Sequence, residues 1–224
     1  MCLVSASIAP SRRCAPSNTP ATRTWRSPEL ERLKPDTLYL QSTLHDVHLE
    51  RLRQYKRFNQ VFKVFDLEDL KTDVPDKNSR KRILFPELKR RLREALASCD
   101  RMTVTTQPLY DAYRHLINDI RIVPLRLERA RWGGLVSKRR QGSRPRVGWA
   151  GAQQHQADLE LMIPVVQATA DEVDWVFFGM CLDELRPYVR EVHSFVPYEQ
   201  YPVKLASLNL DLALAPLEYH PFNE

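Results

Sequence analysis

Acidic residues are missing from the first 28 positions of this 224-residue chain: Glu29 is the first carboxylate, and four prolines and a scatter of Ser, Thr and Arg precede it. Such a stretch shows neither helical nor strand periodicity, so residues 1–34 are expected to form a disordered leader. Cysteine is also scarce. Cys2, Cys14, Cys99 and Cys181 lie far apart, with no Cys-x-x-Cys spacing and no neighbouring histidine pair. That excludes a disulfide-stapled fold and a zinc ribbon, and the thiols read as reduced in a cytosolic setting. No run approaches the roughly 18 apolar residues that cross a bilayer, and the opening Met-Cys-Leu-Val-Ser-Ala-Ser-Ile-Ala lacks a basic start and stops at Pro10. No Gly-x-Gly-x-x-Gly fingerprint, helix-turn-helix or zinc finger occurs.

What remains is enough to fold. The chain is 43% hydrophobic, and its 34 basic and 28 acidic residues give a formal charge of +6 and a pI near 9.2. A core can be buried at this length, and anionic partners suit the charge. Thr37 to Gln41 reads as a strand, Leu44, Val47, Leu49 and Leu52 as one face of a helix, and Val61 to Asp66 as a buried strand. Leu84, Leu88, Leu92, Ala95 and Leu96 share one face of a helix expected from Phe85 to Ser98, with Lys89, Arg90, Arg91 and Arg93 covering the rest. Met102 to Thr105 is a short strand, a helix starts near Pro108 and runs to Leu116, and Ile120 to Val123 is a strand ended by Pro124. Alternating strands and helices predict a parallel sheet across 35–128.

Glycines and seven basic residues between Arg129 and Arg146 interrupt the pattern, so 129–145 reads as a basic linker. The alternation then restarts over 146–224. Expected there are a strand at Arg146 to Ala150, a polar loop, a helix from Asp158 to Ala170 and a strand from Asp174 to Phe178. A helix from Leu182 to Val192, a strand at Ser194 to Val196, a helix from Tyr201 to Leu208 and a strand from Asp211 to Ala215 follow. This second domain is expected to be the first part of a Rossmann-like unit that stops short of completion.

The chemistry-bearing candidates gather where strands end. In Val147-Gly148-Trp149-Ala150-Gly151-Ala152-Gln153-Gln154-His155, a strand enters a glycine-bearing loop and then a helix, an arrangement that lets backbone N–H groups approach phosphate. A plain tight βα turn is the competing explanation. Gly179 and the Ala215-Pro216-Leu217-Glu218 segment also follow strands at their carboxyl ends, where ligands bind in open α/β sheets. Glu218 could hold sugar hydroxyls, since a carboxylate accepts two such bonds, or it is a solvated loop residue. Asp66-Leu67-Glu68-Asp69 invites a divalent cation, but an acidic strand end explains it equally. His45-Asp46-Val47-His48 lacks a third ligand. Lys77 to Arg82, Lys89 to Arg93 and Lys138 to Arg146 suit a solvated face or an anionic membrane surface better than nucleic acid.

As an ordered set, these pieces resemble a known family. Arg144-Pro145-Arg146-Val147-Gly148-Trp149-Ala150-Gly151 with His155 and Asp158-Leu159 is similar to the start of the donor domain in bacterial GT-B glycosyltransferases of the glycosyltransferase group 1 family, of cell-surface polysaccharide type. Trp175 to Gly179, Tyr201 to Leu208, Leu210 to Glu218 and Pro221-Phe222-Asn223 fit as well. Upstream, Phe65 to Leu70, Cys99 to Thr106 and Asp119 to Pro124 resemble the latter part of the acceptor domain.

The resemblance implies two partial Rossmann-like domains and transfer of a hexose, with retention, from a nucleotide diphosphate sugar to a surface glycan or lipid-linked acceptor. It implies no cofactor and no metal. Its site residues would be Gly148, Gly151, Gln153 and His155 near the diphosphate, Gly179, Val196 and Pro197 beside the base, and Glu218, Phe222 and Asn223 toward the sugar. The family's arginine and lysine in the first loop are replaced here by Trp149, Gln153, Gln154 and His155. Its paired glutamates and the Lys-Ser after Phe-Asn are missing, so a non-catalytic nucleotide-sugar-binding remnant or a degenerate fragment is the alternative. The implied location is cytoplasmic, peripheral to the inner membrane face.

Overall fold

A computed structural model describes residues 3–7, 34–41, 44, 49–50, 52–53, 61–74, 87–138 and 144–223. They fall into two compact units, one of the described residues up to 74 together with 87–126, the other Leu127–Asn223.

The first unit is built on a parallel sheet of β1 (Leu3–Ser7), β2 (Thr37–Gln41), β3 (Phe62–Leu67), β4 (Arg101–Val104) and β5 (Ile120–Ile122), hydrogen-bonded in chain order. Alternation along the strands sends Leu38, Leu40, Phe65, Leu67, Met102 and Val104 to one face. There they meet Leu88, Leu92, Ala95 and Leu96 of α1 (Leu88–Leu96) and Leu109 and Tyr113 of α2 (Gln107–Tyr113). Crossovers between parallel strands are right-handed, so strands that advance in one direction send their helices to one face. The start of α2 is set locally: Thr106 is extended, its hydroxyl accepts the Leu109 N–H at 3.4 Å, and Pro108 stands in the first turn, where no N–H is needed.

On the other face of this sheet the described residues pair Val64 with Tyr39 and are otherwise largely polar. Register places Gln41 beside Asp66 and Asp66 beside Thr103. The Thr103 hydroxyl donates to Asp66 Oδ1 at 2.6 Å, and Tyr39 Oη lies 3.1 Å from Thr103 Oγ1. Burial, then the hydrogen bond with Asp66, pushes the Tyr39 phenol up from its ordinary range.

The second unit holds β6 (Arg146–Gly151), β7 (Asp174–Gly179), β8 (Glu191–Ser194) and β9 (Leu212–Leu214), all parallel, in the order β8-β7-β6-β9. Here the direction of winding reverses at β6, and both faces are covered. Val147, Trp149, Trp175 and Phe177 pack against Leu159, Met162, Val166 and Leu185, while Val176 and Phe178 pack against Leu208 with Tyr201 and Leu205.

Several expectations change. Leu3–Ser7, expected to be disordered, pairs with β2 as an edge strand; residues 8–33 lie outside the described residues. Residues 129–138, expected as linker, carry α3 (Arg129–Trp132) and lie on the second unit. Trp132 packs against Tyr201 at 6.2 Å between rings, the Arg131 guanidinium sits over the Tyr198 ring, and the Lys138 N–H donates to Asn209 Oδ1 at 2.7 Å. The helix expected from Asp158 to Ala170 is two pieces, α4 (Gln156–Glu160) and α5 (Ile163–Thr169), because Pro164 cannot donate in a continuous ladder. The helix expected to run to Val192 is a 3-10 stretch, Asp183–Tyr188, containing Pro187. The residues after it alternate half-buried and exposed as β8, which therefore ends at Ser194 instead of beginning there. The last helix, α6 (Tyr201–Ser207), falls where expected.

Candidate functional site

In a parallel sheet, the loops leaving adjacent strands diverge to opposite faces wherever winding reverses, and the gap at the carboxyl ends receives ligands. In the second unit that place is between β6 and β9. Gly151 ends β6 and leads through a 3-10 turn, Gln153–His155, into α4; β9 leads through Ala215 to Glu218 into a second 3-10 turn, Pro221–Asn223.

The two loops are joined by one buried carboxylate. Asp158, 5% exposed, accepts the Glu218 N–H through Oδ1 at 2.7 Å, and its Oδ2 lies 2.9 Å from His155 Nδ1. Asn223 Nδ2 donates to the Glu218 carbonyl at 2.9 Å, and the Phe222 N–H donates to His220 Nδ1 at 3.0 Å. His155, Glu218, Phe222 and Asn223 are thus assembled at one sheet edge. In the sequence Asp158 stands out only as part of a motif; its three-residue spacing from His155 on a helical turn is the signal that points to the pair.

Beside them stands a pair of glycines. Register puts Gly151 opposite Gly179. Gly179 has φ +104°, a conformation L side chains rarely adopt, and a Cβ there would sit 2.3 Å from the Gly151 carbonyl oxygen and 2.8 Å from the Phe195 ring. Phe195 is 56% exposed and also packs on Phe178, at 6.4 Å between ring centres. Val196 packs against the Val176, Phe178 and Leu208 cluster, while Pro197 and Gln153 are exposed.

Gly148 is elsewhere. It lies buried inside β6, and a Cβ on it would meet Leu210 Cδ1 at 2.3 Å. Its lack of a side chain admits Leu210 to the sheet, so its place is in packing and not in the loop the motif suggested.

The first loop carries no Lys or Arg of its own. No Lys or Arg occurs between Arg146 and Arg186. Arg146 bonds to Glu191 Oε1 at 2.8 Å and the Leu208 carbonyl at 3.1 Å, and Arg186 bonds to Asp183 at 3.0 Å. Arg146, with help from His193, holds the Glu191 carboxyl down at about 2. Lys204 Nζ lies 3.1 Å from His193 Nδ1, a contact the sequence did not announce.

The remaining candidates separate. Asp66 is bonded to Thr103, and Glu68 accepts from Gln41 Nε2 at 2.5 Å, so the acidic strand end has protein partners. His45 to His48 and Lys77 to Arg82 lie outside the described residues. Among the described residues no group of three or more His, Cys, Asp or Glu is placed to hold a metal, and no helix is long and apolar enough to cross a membrane. The basic face of α1 is threaded with acids: Arg90 pairs with Glu87 and Glu94, and Arg53 also reaches Glu94. Cys99 and Cys181 are free, and burial pushes the Cys99 thiol up to about 12, which removes it from nucleophilic duty.

No protein-family model matches the sequence, and no curated protein matches it. Solved structures do. The structure is similar to sucrose-phosphate synthase from Thermosynechococcus elongatus, with TM-score 0.60 at 12% identity over 87% of this chain and 53% of that one. It is also similar to the catalytic domain of starch synthase IV from Arabidopsis thaliana, bound there to ADP and acarbose, with TM-score 0.57 at 10% identity over 86% of this chain and 54% of that one. The fold is therefore that of the GT-B glycosyltransferases, two parallel-sheet α/β units. The chain spans about half the length of these two structures.

Proposed function

We propose that the chain is the nucleotide-sugar-handling part of a glycosyltransferase, which takes a sugar from a nucleotide diphosphate donor. The observation that carries this is the reversal of winding at β6, which brings the Gly151 to His155 loop and the Glu218 to Asn223 loop to one carboxyl edge. The similarity of fold to two glycosyl-transferring enzymes, one with a nucleotide diphosphate bound, supports it. In this reading Gly151, Gln153 and His155 take the diphosphate, Gly179, Val196 and Pro197 border the base, and Glu218, Phe222 and Asn223 take the sugar. A surface glycan or lipid-linked acceptor, hexosyl transfer and retention of configuration complete the proposal by resemblance. In this reading the first unit, with Leu3–Ser7 added to 35–126, is the acceptor side, and the second, from Leu127 on, is the donor side.

Calorimetric titration with UDP, ADP and GDP, against the matching monophosphates, tests the reading. One diphosphate is expected to bind more tightly than its monophosphate. Binding of none overturns it. The dearth of Lys and Arg in 147–185 favours a second reading, nucleotide-sugar binding without turnover. Incubation with the donor sugar of the preferred nucleotide separates the two: sugar transfer or hydrolysis marks an enzyme, binding alone the second reading, and the anomeric signal of any product reports retention. Contact with an anionic membrane is tested by co-sedimentation with phosphatidylglycerol vesicles at low and high salt.

A further inference from the structure

We infer that Asp158 is a positioning residue that sets the diphosphate contact and the sugar contact together, and that His155 Nε2 takes a diphosphate oxygen of the donor. The inference rests on the donor-site reading proposed for this chain and names the phosphate ligand and its orienting group within it.

Three features carry it. First, Asp158 is deeply buried on a short helix, where a carboxylate needs partners, and its two oxygens serve two different loops. Second, with Nδ1–H donated to Asp158, the nitrogen of His155 left for a ligand is Nε2; the His155 side chain is 40% exposed and that of Asp158 only 6%. Third, the stretch between Arg146 and Arg186 holds no Lys or Arg, so His155 is its single basic side chain. An imidazolium between a carboxylate at Nδ1 and a phosphate oxygen at Nε2 is the charge arrangement this loop can offer a diphosphate.

The second oxygen does separate work. Asp158 holds the Glu218 N–H and Asn223 holds the Glu218 carbonyl, so both peptide groups flanking the proposed sugar ligand are fixed. One carboxylate therefore places both ends of the diphosphate-sugar linkage in register. Amidation of that carboxylate puts an NH2 against one of two N–H donors, so Asp158→Asn disturbs at least one loop without changing side-chain volume.

The test uses the whole chain, isotopically labelled at histidine, and the diphosphate and diphosphate sugar that bind wild type. His155→Gln is expected to weaken nucleoside diphosphate binding by about tenfold or more while leaving the monophosphate within about twofold. Glu218→Gln is expected to weaken only the diphosphate sugar, and Asp158→Asn both ligands. Imidazole 15N shifts of the apo protein are expected to show a protonated Nδ1 at His155 in wild type and its loss or shift in Asp158→Asn, an effect a merely structural residue would not produce. Asp158→Glu, which keeps the charge, is expected to restore part of the diphosphate affinity. The inference is overturned if His155→Gln binds the diphosphate as wild type does, or if wild-type His155 carries its proton on Nε2 alone. Should Asp158→Asn fail to fold, the wild-type tautomer and His155→Gln still decide. If wild type binds no nucleotide while His155 shows the Nδ1–H tautomer, the donor-site reading fails and the ring geometry stands apart from it.

Discussion

The two units use the same strand-helix alternation and arrive at different surfaces. In the first, β1 to β5 advance in one direction, the helices cover one face, and the opposite face carries Tyr39, Asp66 and Thr103 in a hydrogen-bonded line. In the second, the order β8-β7-β6-β9 reverses at β6, apolar clusters form on both faces, and the loops after β6 and β9 meet at this switch point on the carboxyl edge. Sequential winding creates no such switch point, because successive loops leave on the same side. Strand order thus explains why residues of ordinary type, Gly151, His155, Asp158 and Glu218, come together at one sheet edge.

The largest expected effects test whether each core belongs to its own unit. Phe65 and Phe177 are fully buried in separate clusters, and truncating either to Ala is expected to cost about 3–5 kcal/mol. Urea unfolding followed with amide exchange is expected to show Phe65→Ala lowering protection in β2 to β4 and Phe177→Ala lowering it in β6 to β8. Loss of protection spread evenly over both would break the division.

Next is the glycine pair at the ends of β6 and β7. Gly179→Ala places a side chain at φ +104° against the Gly151 carbonyl and is expected to cost about 2–3 kcal/mol. Gly134, at φ +76° with nothing within 4 Å of an added methyl group, isolates the conformational part, and Gly134→Ala is expected to cost about 1 kcal/mol. Equal costs by denaturant titration would mean that the close approach of β6 and β7 contributes nothing. The first unit offers the matching local probe: Thr106→Ala removes the cap of α2 and is expected to cost about 1 kcal/mol, without effect on nucleotide binding.

The smallest effect is electrostatic. Arg146 holds Glu191 down from 4.5 to about 2, so the pair contributes fully above pH 4.5 and its contribution fades as pH falls toward 2. Both side chains are partly exposed, so the contribution is below about 1 kcal/mol. Glu191→Gln is expected to flatten the stability profile between pH 4.5 and 2; an unchanged profile there would remove the pair from the account of how β6 and β8 are joined.

Much of the fold was legible along the chain. The alternation of Leu38 and Leu40, the stripe of Leu88, Leu92, Ala95 and Leu96, and the run Trp175 to Phe178 each carry the period of the element they form. Legibility failed where a local pattern had two solutions. Pro187 shortens an apparent helix and frees Glu191–Ser194 for strand pairing, and the basic stretch after Arg129 packs through Trp132 and Arg131 onto Tyr201 and Tyr198, partners about seventy positions away. Gly148 and Gly151 look alike in the motif, yet one faces Leu210 within the sheet and the other ends the strand.

Periodicity, prolines and strand-end glycines, all short-range features, determined the element types, the two-unit α/β organisation and the loops worth inspecting. Strand order, the joining of His155 to Glu218 through Asp158 and the demotion of Gly148 to packing were decided by tertiary structure alone. These depend on which distant backbones come into register, and a hydrogen bond across sixty residues leaves no periodic trace in the chain that makes it.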